Sequence, residues 1–256
     1  MYTNKEIVQI AMSQSAIDIN CAKEDFLKKQ NVIVECILGK TARRYYQEPI
    51  ACNLVSYGNN IVASTKNEYR EIVKDYINKF SIYHCFETPN IHYLDEKMAP
   101  YSQKTCFMAL YFLPDVNKLI KSSCKYNLKI LNKQDLANIP ISEFSNALTE
   151  NNRDVDILGI GAYDNGKLIG LAACSVDCDL MWQIGVDVLP DYRNQGIAST
   201  LTTNLAIEIL NRNKIPFYCC AWSNLASQRN AIKSGFYPAW VELTVKPIEL
   251  IEEFNK

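Results

Sequence analysis

The stretch "MWQIGVDVLPDYRNQGIASTLTTNLAIEILN", residues 181–211, decides how this chain is read. It opens with an alternating apolar run that stops at Pro190, the pattern of a β-strand. A short polar loop with one glycine, Gly196, follows, and then Ile197, Leu201 and Leu205 recur at helical spacing. A helix start leaves backbone N–H groups without partners and carries partial positive charge, so it is a ready anion site. Gly196 lacks a β-carbon and lets an anion approach the backbone, while Arg193 adds a full positive charge. That combination suits a pyrophosphate. The loop lacks the further glycines of a dinucleotide fingerprint and the Gly-Lys-Ser/Thr of a P-loop.

Working outward, "DILGIGAYDNGKLIGLAACSV" reads as a hairpin, because Asn165-Gly166 supplies the positive φ angles of a tight primed turn between two apolar runs. "CKYNLKILN" alternates like a strand, and "KQDLANIPISEFSNALTE" holds one or two helical turns on either side of Pro140. After the central helix come a strand at "IPFYCCAW", a helix at "NLASQRNAIKSGF" closed by Gly235, and a last strand at "AWVELTV". In the first half, "ACNLVSYG" and "NIVAS" read as strands. Thr65 and Glu68 have capping-box spacing ahead of a helix carrying Tyr69, Ile72, Val73, Tyr76 and Ile77. "SIYHCFE" and "TCFMALYFL" read as strands enclosing a helix across "NIHYLDEKMA". The polar, proline-led "PDVNKLIKSSC" is the best boundary. The expected fold class is α/β (α+β): a mixed, mostly antiparallel twisted sheet flanked by helices, with an α/β domain over 1–121 and a second domain over 122–256.

With 256 residues, 48% hydrophobic residues and a formal charge of −1, the composition is that of a globular protein long enough for two cores. The near-zero charge argues against a nucleic-acid binder. Arg43 and Arg44 in "KTARRYYQ" read as a solvated helix face. The amino terminus lacks a signal peptide's basic start and apolar run, and no apolar run is long enough to span a bilayer, so the expectation is a cytoplasmic protein with reduced thiols. Ten cysteines include no CxxC pair and there are only two histidines, His84 and His92, so no metal site is expected. Cys174, Cys178, Cys219 and Cys220 read as buried small apolar residues.

"VDVLPDYRNQGIA" together with "SNLASQRNAIKSGF" resembles the GNAT superfamily of acetyl-CoA-dependent N-acetyltransferases. The matching positions are Val188, Pro190, Arg193, Gly196 and Ala198, then Asn224, Ser227, Gly235 and Phe236, in the family's order and spacing. The two-part layout looks most like the branch with zwittermicin A resistance-type enzymes. The resemblance runs from about Cys124 to the carboxyl terminus and implies an N-acetyltransferase moving an acetyl group to a primary amine of a small molecule, by direct transfer in a ternary complex. It implies acetyl-CoA as donor, with coenzyme A as product. The pyrophosphate would lie on Arg193, Asn194, Gln195, Gly196, Ile197, Ala198 and Ser199. The pantetheine amides would pair with the strand at Val186, Asp187 and Val188, and Asn224 and Ser227 would complete the site. The expected partners are a small amine and possible formation of a homodimer.

The catalytic pattern departs from the family. The tyrosine that many members place seven residues after the asparagine is Ala231 here, and Tyr218 and Tyr237 are alternatives that also read as buried sheet tyrosines. "DLMWQIGV" contains no glutamate for a general base. Asp179, then Asp177, are candidates, with an ordinary turn role equally open. Gln183 either positions a water or lines the acceptor pocket, and the resemblance implies that a backbone N–H near Val188 serves the oxyanion. Trp182, Trp222 and Trp240 are expected in the core. Because the tyrosine and glutamate are missing, the rival reading is a non-catalytic acyl-CoA-binding regulatory protein.

Overall fold

A computed structural model describes residues 2–150 and 152–256. In chain order the elements are α1 (Asn4–Ile19), β1 (Val32–Glu35), β2 (Cys52–Ser56), β3 (Val62–Thr65), α2 (Arg70–Lys79), α3 (Thr88–Met98) and β4 (Gln103–Pro114). They continue with β5 (Asn127–Asn132), α4 (Lys133–Ala137), β6 (Asp156–Asp164), β7 (Lys167–Val176), β8 (Met181–Val188) and α5 (Ile197–Asn211). The last are β9 (Ile215–Ala221), α6 (Leu225–Lys233), β10 (Phe236–Pro247) and α7 (Ile248–Phe254). This is the expected mixed α/β fold, with mostly antiparallel strand pairs and flanking helices. The chain divides into two compact units, one of Gln9–Tyr111 with Ala239–Lys256, the other of Phe112–Pro238 with the segment up to Val8.

In the first unit, β3 pairs parallel to β1 and antiparallel to β2, and β2 pairs antiparallel to β10. Alternation along these strands sorts their side chains onto two faces. Leu54, Ala63, Leu243 and Val245 share a core with Val73, Tyr76 and Ile77 of α2 and Leu94 and Met98 of α3. The α2 spacing is therefore as read. Its predicted cap is not: Thr65 lies at the end of β3 and donates to the Ala51 carbonyl, and a short 3₁₀ turn at Asn67–Tyr69 leads into the helix. "SIYHCFE" is no strand either. It is the turn between α2 and α3, where Cys85 and Phe86 are buried and the Cys85 carbonyl accepts from the Tyr76 hydroxyl at 2.9 Å.

The other face of this sheet is polar, with Asn53 opposite both Ser64 and Thr244. Here the reading of Arg43 fails. It is fully buried, with Nε 2.5 Å from Asp18 of α1 and Nη2 3.0 Å from Glu242 of β10. Its guanidinium carbon lies within 5.2–5.8 Å of the ring centres of Tyr45, Tyr46, Tyr111 and Trp240. Two carboxylates and an aromatic surround replace the water an exposed arginine would keep. Arg44 does stay exposed.

In the second unit β5, β6, β7 and β8 form an antiparallel run, and β9 joins β8 in parallel. Asn165 and Gly166 make the β6–β7 turn with φ of 46° and 86°, as the primed turn requires. Helix α5 lies close on β7: a β-carbon at Gly170 would come within 3.0 Å of Ile197 and 3.2 Å of Leu201. Ile197, Leu201, Leu205 and Ile209 are buried. Residues 115–124 carry no regular structure, yet the Asn204 side chain of α5 accepts from Ser122 N and donates to Ser122 O. Among the described residues the cysteines form no disulfide, no cluster suits a metal ion, and no helix is long and apolar enough to cross a membrane.

Candidate active site

The site begins where two strands part. β8 and β9 pair from Met181↔Ile215 to Gln183↔Phe217, after which the register ends although both strands continue. The far edge of β8 stays paired with β7 up to Val188↔Gly170. Leu189 N donates to the Ile169 carbonyl at 2.9 Å, and strand alternation then turns the N–H groups of Val186 and Val188 away from β7, toward the parted edge. Backbone donors in such a cleft seek partners, so an amide-bearing molecule can take the place of the missing strand.

Past β8 the chain turns through a 3₁₀ segment at Pro190–Tyr192 and enters α5. Asn194 and Gly196 both have left-handed backbone, φ 60° and 79°. Gly196 is the N-cap of α5 and has no side-chain cap, so the helix's first N–H groups face the cleft. A β-carbon on Gly196 would meet nothing closer than Lys233 Nζ, at 4.0 Å. The backbone is thus open to a ligand there. Arg193 donates from Nε to the Val188 carbonyl at 3.0 Å, joining the end of the strand to the loop.

The cleft encloses about 690 Å³ and is lined by Arg193, Arg229 and Lys233 among its charged residues, against the single carboxylate Asp187. That carboxylate is already engaged. It accepts from Asn146 N at 2.7 Å, Asn146 Nδ2 at 2.6 Å and Ala147 N at 2.9 Å. The Asn146 segment is thereby held against β8, so closely that a β-carbon on Gly185 would fall 2.0 Å from the Asn146 carbonyl oxygen. On the β9 side, the Tyr218 hydroxyl is 2.7 Å from Ser227 Oγ, and burial pushes its pKa up, so it is a neutral phenol at physiological pH. Asn224 caps α6, its Oδ1 accepting from Ser227 N at 3.1 Å.

A family model described as GNAT acetyltransferase matches residues 24–239, which is most of the chain. The chain belongs to the GNAT acetyltransferase family. Members of this family use acetyl-CoA as acyl donor and catalyse acetyl transfer. Among solved structures, the chain is similar to a GCN5-related N-acetyltransferase-like protein from Streptococcus suis, at 19% identity and TM-score 0.46, over 60% of this chain and 67% of that one. It is also similar to an acetyltransferase from the GNAT family of Colwellia psychrerythraea, at 18% identity and TM-score 0.43, over 56% of this chain and 57% of that one. For a GCN5-related N-acetyltransferase from Sphaerobacter thermophilus the values are 10%, 0.46 and 77% of both chains. No curated protein matches the chain.

Of the residues expected in a GNAT site, the fold brings Gln183, Val186, Asp187, Val188, Arg193, Asn194, Gly196, Ile197, Ala198, Ser199, Asn224 and Ser227 to one cleft. Gln195 and Asp179 do not line it. Gln195 accepts from the Tyr126 hydroxyl, and Asp179 is exposed in the β7–β8 turn, its carbonyl accepting from Lys214 Nζ. Gln183 donates to Cys219 Sγ at 3.3 Å, which places Cys219 on the cleft wall rather than in the core. Trp182 and Trp240 are buried as expected, but Trp222 is 44% exposed, and none of the three lines the cleft. Tyr237 lies outside the cleft, whereas Tyr218 is in its wall. Asn146, Gly185, Arg229 and Lys233 were missed by sequence reasoning. The basic end of "NLASQRNAIKSGF" was the signal available for the last two, since helix α6 leads back toward the loop at Gly196.

Proposed function

We propose that the protein is an acetyl-CoA-dependent N-acetyltransferase that moves an acetyl group to a primary amine of a small molecule, by direct transfer in a ternary complex. The observation that carries this reading is the parted strand edge at Val186–Val188 running into a glycine-capped helix start among three cations. The two-part layout supports placing it in the branch with zwittermicin A resistance-type enzymes.

Acetyl-CoA, when bound, supplies the activated thioester; the chain binds, orients and manages protons. The N–H groups at the start of α5 and the side chains of Arg193, Arg229 and Lys233 hold a diphosphate, each helix-end contact adding about 0.3–1 kcal/mol. The parted edge of β8 pairs with the amides of an extended arm. The Val188 N–H donates to a carbonyl oxygen at the end of that arm and favours the negative charge that builds there on attack. Tyr218, neutral and oriented by Ser227, offers its hydroxyl proton to a departing thiolate, the role that Ala231 cannot play. Gln183 orients a water that takes the proton of the incoming ammonium. Asp187 acts as a positioning residue, holding the Asn146 segment on the cleft.

The test is calorimetry with acetyl-CoA followed by free-thiol release against a panel of amines, amino acids and aminated antibiotics. Binding with thiol release that depends on one class of amine is expected. Binding with no amine-dependent thiol contradicts catalysis and favours a regulatory acyl-CoA binder.

A further inference from the structure

The first unit has a cavity of about 190 Å³, lined by none of the residues of the cleft. Its walls are Ile19, Ile50 and the half-exposed Ile37 and Leu38, and its polar lining includes Asp18, Glu48 and Asn53. Its volume corresponds to about six waters at ~30 Å³ each. Three observations say what it takes.

The first is an acceptor with nothing to accept. Asn53 is 1% exposed, and its Nδ2 donates to the Tyr46 hydroxyl at 2.7 Å, but its Oδ1 has no hydrogen-bond partner among the described residues. Tyr46 cannot fill that need, because its hydroxyl donates to Glu242 at 2.8 Å. A buried amide oxygen without a donor is costly, and a ligand N–H removes the cost.

The second is charge. Two carboxylates, Asp18 and Glu48, line the cavity, and no lysine, arginine or histidine is among its described lining residues. Arg43 reaches Asp18, and Lys246 reaches Glu48, from outside the lining, so the face presented to a ligand is anionic. The third is the wall chemistry: among the described residues no group of three or more His, Cys, Asp or Glu side chains could hold a metal ion, whereas Ile19 and Ile50 offer an apolar surface. A monocation with a short apolar body satisfies all three.

We propose that this cavity binds a small primary ammonium ion with a short alkyl chain, its N–H groups on Asn53 Oδ1 and Glu48 and its chain against Ile19 and Ile50. The site shares no lining residue with the cleft and makes the first unit a ligand-binding module in its own right.

The probe is n-butylammonium chloride, titrated into the full-length protein by calorimetry and thermal unfolding, with sodium chloride and butanamide as controls. Wild type is expected to show saturable binding at least tenfold tighter than to butanamide. Asn53→Leu should weaken it at least tenfold. Glu48→Gln, at a half-exposed position that leaves the fold intact, should weaken it at least threefold and carries the test if Asn53→Leu does not fold. An effect of butylammonium no larger than that of sodium chloride overturns the proposal. So does unchanged binding in Glu48→Gln, which would put the amine elsewhere, the acetyl-transfer cleft included.

Discussion

Two arginines in loops beside tyrosines meet opposite fates. Arg193 is exposed at the mouth of a cleft, tied by one bond to the Val188 carbonyl, with Lys233 and Arg229 as further cations and the one carboxylate of the cleft lining already occupied. Arg43 is sealed among two carboxylates and four rings, and the surrounding charges hold its guanidinium firmly protonated despite the burial that opposes it. The first leaves its charge open to the cleft, as the proposed diphosphate site requires. The second has its charge matched internally, and serves to pin the segment ahead of β2 to α1 and β10. What separates the proposed binding residue from the structural one is the count of opposite charges within reach, not the residue type or its sequence neighbours.

This contrast is broken or sharpened by substitution. The largest effect belongs to Arg43→Ala, which strands two buried carboxylates and should cost about 3–5 kcal/mol. Urea unfolding checks it, and a loss below 1 kcal/mol would show that the network is no anchor. Next comes Asp187→Asn. Weakening the three N–H bonds to the Asn146 segment removes about 1.5 kcal/mol of net hydrogen bonding. Acetyl-transfer kcat/KM should fall about tenfold, with the unfolding midpoint lowered by only the roughly 3–6 °C that such a loss predicts. A lowered midpoint with unchanged kcat/KM would make Asp187 purely structural. The smallest effect is that of Lys233→Gln, a single exposed cation near a helix start, for which acetyl-CoA affinity should fall about threefold at low salt and less at high salt. A loss independent of salt would mean that Lys233 packs rather than attracts.

The same contrast explains what the sequence could reveal. Strand β8, the loop and α5 are legible because one contiguous stretch carries both the periodicity and the special glycine. The hairpin is legible because Asn165-Gly166 dictates its turn locally. Helix α1 is not, since its buried face includes Gln14, Ser15 and Asp18, which blur the apolar repeat and are buried only because Arg43, Thr41 and Tyr57 meet them. "SIYHCFE" misleads for the converse reason: its apolar residues fill the gap between two helices instead of one face of a sheet. In the cleft, Asn146 is invisible from sequence because its place depends on a glycine and an aspartate of another element.

The central claim is that the glycine-capped start of α5 holds the diphosphate of acetyl-CoA. Gly196→Asp puts a carboxylate where that anion must lie and strains a residue at φ 79°, a conformation that costs a non-glycine residue about 1–2 kcal/mol. Calorimetry should show at least a hundredfold loss of acetyl-CoA affinity in this variant with its fold retained by circular dichroism. Unchanged affinity in a folded Gly196→Asp protein would contradict the account.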